Sequence, residues 1–259
     1  MLLEDRVAII TGGARGIGKG IASRFAAEGC SVVMTDVAKE DGERAAEAIC
    51  AAGMKAIFRY CDVTDSRQVT ELFTDVMNEY GRVDILINNA GGVFGPGMCT
   101  ENITDGDWDK VVDLNLKSQF LCCRAVIPLM KEWRYGRIVN LSSMGAVGPC
   151  VSISHYHAAK GGVLGLTTNL AYELAPFNIC VNAIVPGPIR SEFYGPVVRD
   201  SAEQEALFAD ISQTVPLGRM GTPEDIAGAA LFFASELSSY VTGESIRVGG
   251  GHPLGVCAR

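Results

Sequence analysis

The chain has 259 residues, 48% of them hydrophobic and 20% charged, and a net charge of −8. That balance describes a globular protein with a sizeable core, and its sign opposes non-specific attraction to nucleic acid or to an anionic membrane surface. No apolar run approaches the ~18 residues of a bilayer span, and Glu4 and Asp5 stand where a secretory signal needs bases, so a cytoplasmic location is expected.

Residues 6–11, Arg-Val-Ala-Ile-Ile-Thr, are a β-branched run that predicts a buried strand. It leads into Gly12-Gly13-Ala14-Arg15-Gly16-Ile17-Gly18, and 19–28 then shows helical periodicity up to Gly29. Strand, glycine turn and helix in succession aim free backbone N–H groups at a pyrophosphate. The spacing is G-x-x-x-G-x-G rather than the G-x-G-x-x-G fingerprint. Residues 31–36 predict the second strand, which ends in Asp36, 18 residues after Gly18. A carboxylate there can accept both hydroxyls of an adenosine ribose and repels a 2′-phosphate; capping of the next helix is the alternative. Arg15 could instead meet a 2′-phosphate. Because the carboxylate opposes phosphate whatever Arg15 does, NAD is favoured over NADP.

The alternation continues with a helix over 40–52, a strand over 55–60 that exits through Cys61-Asp62-Val63, and a helix over 66–79 stopped by Gly81. A fourth strand over 83–88 exits into Asn88-Asn89-Ala90-Gly91-Gly92. A long helix is expected over 104–133, with Thr104 as cap, Asp105 and Asp107 in its first turn, and Asn115 inside. The strand over 137–141 ends in Ser142-Ser143-Met144-Gly145, and the helix over 154–175 follows, its core side rich in small residues (Ala158, Ala159, Gly161, Gly162, Gly165). A strand over 177–184 closes with Val185-Pro186-Gly187-Pro188. Residues 189–215 are less periodic, as in a lid. A helix over 222–235 with Pro223 in its first turn and a strand over 244–248 complete the chain before Gly249-Gly250-Gly251. Strands and helices alternating at this spacing imply right-handed βαβ crossovers and a parallel sheet. One domain over 1–259 is expected, with a substrate-loop or lid region at about 187–221.

Tyr156 and Lys160 are four apart, so on a helix they share one face. A phenol ordinarily ionises near pH 10, and a fixed ammonium nearby favours the phenolate; a shift of ~3 units corresponds to ~4 kcal/mol. The pair is a candidate general acid/base. Other reactive side chains fit less well. The nine cysteines (Cys30, Cys50, Cys61, Cys99, Cys122, Cys123, Cys150, Cys180, Cys257) are odd in number and contain no C-x-x-C pair, so they read as reduced, mostly buried small hydrophobes. His155 and His157 lie two apart and diverge on a helix. With His252 the only other histidine, no metal site is expected.

Taken in order, Thr11-Gly12…Gly16-Ile17-Gly18, Asp62-Val63, Asn88-Asn89-Ala90-Gly91, Asn115, Ser143, Tyr156…Lys160 and Pro186-Gly187 make the chain resemble the short-chain dehydrogenase/reductase family over nearly its whole length. The resemblance implies an α/β Rossmann-type three-layer fold with seven parallel strands in the order 3-2-1-4-5-6-7. It implies Tyr156 as the acid/base, Lys160 as the group that lowers its pKa and holds the nicotinamide ribose, Ser143 as a hydrogen-bond partner of the reacting oxygen, and Asn115 as the anchor of a water on the proton path. The cofactor would be held by Gly12, Arg15, Gly16, Ile17, Gly18, Asp36, Asp62, Val63, Asn89, Ala90, Gly91, Tyr156, Lys160, Pro186, Gly187, Ile189 and Ser191, with Asp62 near the adenine, Asn89 near the adenosine-side ribose, and Ile189 and Ser191 near the carboxamide. Val93, Phe94, Met144, Val147, His155, Pro188, Phe193 and Tyr194 would line the substrate pocket. Arg190 and Glu192 read as solvated loop charges, with recognition of a charged substrate group as the alternative. A homotetramer is implied by the same analogy, with a homodimer as the smaller alternative. One departure stands out: Gly249 occupies the place of an acid in the family's usual Val-Asp-Gly-Gly ending, which removes a turn-stabilising side chain.

The expected function is therefore NAD-dependent interconversion of a secondary alcohol and a ketone, on a sugar, polyol or cyclic alcohol. A 3-oxoacyl-thioester reductase is the competitor within the class. A nucleotide-binding regulator without turnover is the competitor outside it, and a broken catalytic set would be its mark.

Overall fold

A computed structural model describes residues 1–94, 98–148, 153–191 and 201–252. Its strands are β1 (Val7–Thr11), β2 (Ser31–Asp36), β3 (Ala56–Tyr60), β4 (Ile85–Asn88), β5 (Gly136–Leu141), β6 (Ile179–Pro186) and β7 (Ser245–Val248). Its α-helices are α1 (Gly16–Ala27), α2 (Lys39–Ala51), α3 (Ser66–Tyr80), α4 (Asp105–Val112), α5 (Ser118–Trp133), α6 (Ser154–Leu174), α7 (Ser201–Thr214) and α8 (Pro223–Ala234). The strands form one sheet in the expected order, β3-β2-β1-β4-β5-β6-β7, and every neighbouring pair is parallel.

The apolar strands are explained by their two covered faces. Along β1, Ala8 and Ile10 pack with Ile21 and Phe25 of α1, Ile49 of α2 and Ile226 and Phe233 of α8. Val7 and Ile9 point the other way, into Val69 and Phe73 of α3, Val126 and Met130 of α5 and Leu174 of α6. Strands buried on both sides need no polar alternation. Ligand-binding groups therefore gather beyond the carboxyl ends of the strands, where the chain leaves the sheet.

Three expectations need correction. Residues 104–133 are not one regular helix: a π-helical turn, Asp113–Lys117, separates α4 from α5. Asn115 Nδ2 donates to the Val111 carbonyl (2.9 Å), the acceptor that its own N–H would take in an α-helix. Such competition from a short polar side chain loosens the helical ladder. The stretch over 189–215 contains α7, although residues 192–200 lie outside the described residues. The small residues of α6 do not form one core-facing stripe either: Ala159 is buried, while Ala158 and Gly165 are exposed.

Thr104 caps α4 as expected, in a reciprocal capping box with Asp107. Gly249 lies back to back with Gly187: a Cβ on Gly187 would fall 2.6 Å from the Gly249 Cα, whereas a Cβ on Gly249 would meet the His252 carbonyl oxygen at 3.1 Å and the Gly187 Cα at 3.2 Å. The turn is held instead by the backbone, through His252 N–H to Gly249 O (3.0 Å) and Leu217 N–H to Gly250 O (3.1 Å).

Among the described residues no helix is long and apolar enough to cross a membrane. Cys30, Cys61, Cys122, Cys123 and Cys180 are buried, Cys50 and Cys99 are exposed, and all seven are free; Cys150 and Cys257 lie outside the described residues. Burial pushes the Cys61 thiol up to about 11 and that of Cys123 up to about 12, which removes them as nucleophiles.

Candidate active site

A cleft of about 820 Å³ opens along the carboxyl edge of the sheet. At one end lie Gly12, Arg15, Gly16, Ile17, Asp36, Asp62, Val63, Asn89, Ala90 and Gly91; at the other lie Val93, Ser143, Met144, Ile153, Tyr156, His157, Lys160, Pro188 and His252. Pro186, Gly187, Ile189 and Ser191 also border it.

The first end is built largely from backbone. Gly12 and Gly16 have positive φ (63° and 49°), which lets the chain turn sharply between β1 and α1. Gly18 faces inward: a Cβ there would lie 2.1 Å from the Gly12 carbonyl oxygen. It is thus a packing residue of the turn rather than part of the cleft wall. Asn89 Nδ2 donates to the carbonyls of Thr11 (3.0 Å) and Gly12 (2.9 Å), and the Thr11 hydroxyl accepts from the N–H groups of Asn89 and Ala90 (both 3.0 Å). The asparagine staples the glycine turn to the exit of β4. Asp36 accepts from the N–H groups of Ala14 (3.2 Å) and Ala38 (3.0 Å), so its carboxylate is fixed beside the turn. Asp62 accepts from the Thr64 N–H (2.9 Å) and hydroxyl (2.7 Å).

Asn115, fully buried, holds the exit of β4 from the other side. Its Oδ1 accepts from the Gly92 N–H (3.0 Å) and its Nδ2 donates to the Gly92 carbonyl (2.7 Å). A Cβ on Gly91 would stand 2.7 Å from Asn115 Oδ1 and 3.0 Å from Lys160 Nζ, so only glycine fits between them.

The second end rests on α6. Tyr156 and Lys160 are both buried, and Lys160 Nζ lies 5.6 Å from the centre of the Tyr156 ring. Lys160 Nζ donates to the Leu141 carbonyl (2.9 Å) and, among the described residues, forms no ion pair. Burial therefore pulls its pKa down from 10.5 to about 7. Ser142, next along from β5, ties α6 down by donating its hydroxyl to the Lys160 carbonyl (2.8 Å). Ser143 begins a short 3-10 turn, Met144–Ala146, and its Oγ accepts from the Gly145 N–H (3.1 Å).

Several expected pocket residues lie elsewhere. Phe94 packs under Lys110 of α4, with Nζ 3.9 Å from its ring centre, and does not line the cleft. Val147 is 39% exposed, turned outward by the tight turn that its N–H closes on the Met144 carbonyl. His155 is buried away from the cleft, where α4 packs against α6, near Asp107, whose carboxyl is held below its usual range chiefly by the Thr104 hydroxyl. Phe193 and Tyr194 lie outside the described residues.

In their place the fold supplies two histidines. His157 lines the cleft with its ring centre 6.4 Å from that of Tyr156, and burial lowers its pKa, so it is neutral at pH 7. It fits because Gly145 has no side chain: a Cβ there would meet His157 Nε2 at 2.7 Å. His252 comes from the turn after β7. On a helix, the residues flanking Tyr156 point about 100° to either side of it. Sequence order alone does not say which flank faces the cleft.

The first end suits a dinucleotide. The N-terminus of α1 has no side-chain cap, which leaves first-turn N–H groups for an anion, and Asp36 offers acceptors to a ribose. The buried Lys160, without a carboxylate partner, offers hydrogen-bond donors to hydroxyl groups beside Tyr156.

The same chain pattern occurs in known proteins. A family model described as enoyl-(acyl carrier protein) reductase matches residues 12–252. The chain is 40% identical over 252 residues to a 3alpha-hydroxysteroid dehydrogenase of Mediterraneibacter gnavus, covering 96% of this chain and 98% of the relative. It is 39% identical over 251 residues to a 3-oxoacyl-[acyl-carrier-protein] reductase of Thermotoga maritima, covering 97% and 99%. The crystal structure of levodione reductase superposes with a TM-score of 0.90 at 34% identity, over 96% of this chain and 98% of that one. With model, relatives and fold in agreement, this chain belongs to the short-chain dehydrogenase/reductase family of oxidoreductases, whose members bind NAD(P).

Proposed function

We propose that the chain is an NAD-dependent oxidoreductase that interconverts a secondary alcohol and a ketone. The observation that carries this reading is the meeting of Tyr156, Lys160 and Ser143 at one end of a cleft whose other end holds the glycine turn and Asp36. The nicotinamide would supply the hydride exchange.

The protein's own groups manage the oxygen. Tyr156 exchanges a proton with it, and the Ser143 hydroxyl donates a hydrogen bond where negative charge develops on reduction. Lys160 Nζ lies 5.6 Å from the centre of the buried Tyr156 ring, and while it carries its charge it favours the phenolate that alcohol oxidation requires as base. Asn115 fixes Gly92 and, through the π turn, keeps the floor of the site at its distance from Lys160.

Asp36 supports NAD over NADP, since its carboxylate sits beside the turn where a 2′-phosphate would be repelled. The substrate end is apolar at Val93, Met144, Ile153 and Pro188, and its described lining contains no arginine and no lysine other than Lys160. That supports an uncharged, largely apolar alcohol, with a cyclic alcohol preferred to an acyl thioester. The names of the relatives point both ways, one a hydroxysteroid dehydrogenase and another a 3-oxoacyl reductase. A panel of cyclic, polyol, steroid and 3-hydroxyacyl alcohols, each with NAD⁺ and with NADP⁺ and followed by nicotinamide absorbance, decides between them. Turnover confined to 3-hydroxyacyl thioesters, or a strong NADP⁺ preference, overturns the reading; nucleotide binding without any turnover revives the regulator. A homotetramer remains part of the proposal, and Trp108, Phe120 and Tyr172 are exposed aromatics on the helices that would meet. Light scattering measures the assembly.

A further inference from the structure

The acid beside the glycine turn is followed by a second one. Asp41, in the first turn of α2, receives two guanidinium groups: Arg15 Nε lies 2.9 Å from its Oδ2, and Arg44 meets its Oδ1. Arg44 has a further acid, Glu40, at 4.0 Å. Arg15 belongs to the glycine turn and lines the cleft. Its neighbour Ala14 donates to Asp36, so Asp36 and Arg15 border one end of the cleft, and Asp41 pairs with Arg15 beside it. The start of α2 is held close to β3, because Gly42 lies against the Phe58 ring, where a Cβ would fall 2.1 Å from a ring carbon.

We propose that Asp41 is a positioning residue that selects the nucleotide through Arg15, and this inference rests on the reading of Asp36 given above. A free arginine fork is a strong partner for a phosphate. Here the one basic side chain of the glycine turn is already paired, and the acid that pairs it carries the wrong charge for a 2′-phosphate. Arg15 would have to leave Asp41 before meeting such a group. The side chains are 54% and 33% exposed, so water screens the pair and its effect is a few-fold rather than absolute.

The test is direct binding, independent of turnover. The purified protein is titrated calorimetrically with 2′,5′-ADP and with 5′-AMP, which carry and lack the 2′-phosphate, and then with NADP⁺ and NAD⁺. Asp41→Asn and Asp41→Ser should each tighten 2′,5′-ADP by about three- to fivefold, the scale of an exposed ion pair, while 5′-AMP binding stays unchanged. Adding Arg15→Gln should abolish the gain. An unchanged 2′,5′-ADP to 5′-AMP ratio in both Asp41 variants overturns the proposal, as does a gain that survives without Arg15. A wild-type protein that prefers 2′,5′-ADP overturns the reading of Asp36 instead. The wild-type ratio thus tests Asp36, and the change of ratio tests Asp41.

Discussion

The two ends of the cleft are made differently. The glycine-turn end is assembled mainly by backbone geometry within the first 92 residues: two glycines with positive φ, one inward-facing glycine, and Asn89, whose amide binds carbonyls rather than projecting as a reader. The Tyr156 end is assembled by side chains from β5, α6, the exit of β6 and the turn after β7. Backbone-built sites tolerate few substitutions, whereas a side-chain wall can change residue by residue without disturbing the sheet. The contrast suits a fold that keeps its cofactor and varies its substrate.

The sharpest division between the ends should come from Tyr156→Phe. Loss of the phenolic proton is expected to reduce turnover by about 10²–10⁴-fold, while calorimetric binding of the nucleotide is little changed. Near-normal turnover would remove Tyr156 from the mechanism.

Gly18→Ala should strike the opposite end. Its Cβ would stand 2.1 Å from the Gly12 carbonyl, against backbone that cannot yield easily. A loss of about 1–3 kcal/mol in stability is expected from such overpacking, together with most of the nucleotide affinity. Thermal melts with and without NAD⁺ measure both, and an unchanged melt would show that the turn relaxes.

A third comparison uses pH. The folded protein holds Lys160 at a pKa of about 7 through burial, against 10.5 when exposed. Between those values the unfolded chain binds more protons, so cofactor-free stability should rise with pH across that window. Lys160→Met should flatten the rise, as read from denaturant midpoints at about pH 7 and about pH 9. A wild-type midpoint that does not move would show that the buried lysine keeps its proton. Alcohol oxidation by the wild type should also rise with pH, because Tyr156 must be ionised to act as the base; a rate independent of pH would remove that role.

The smallest effect should be the most selective. His157→Ala is expected to raise KM for the alcohol by about two- to tenfold, the scale of one hydrogen bond, with nucleotide binding unaltered. Gly145→Ala should act in the same direction, because its new methyl group would collide with His157 Nε2. Equal losses in alcohol and nucleotide affinity for both variants would dissolve the distinction between the two ends.

Much of this was legible beforehand. The strand–helix alternation, the sheet order implied by family resemblance and the capping of α4 by Thr104 all match the structure, because β-branched runs, glycine stops and caps act over a few residues. The π turn was not legible. Asn115 marked the place by its poor helix propensity, but a side chain capturing Val111 O is a choice between two local bonds. The pocket was read least well: Phe94, Val147 and His155 were expected to line it and do not, while His157 and His252 do.

The sequence by itself determined the layered α/β fold, the glycine turn and the Tyr156–Lys160 pairing, since each follows from residue spacing along one or two adjacent elements. Only the tertiary structure decided that Asn89 and Asn115 serve as staples, that Gly187 packs against the backbone of Gly249, that Arg15 is held by Asp41, and which flank of Tyr156 faces the cleft. These are contacts between segments far apart in sequence or choices of side-chain direction. Local periodicity constrains neither, because both depend on what the other elements bring to the same place.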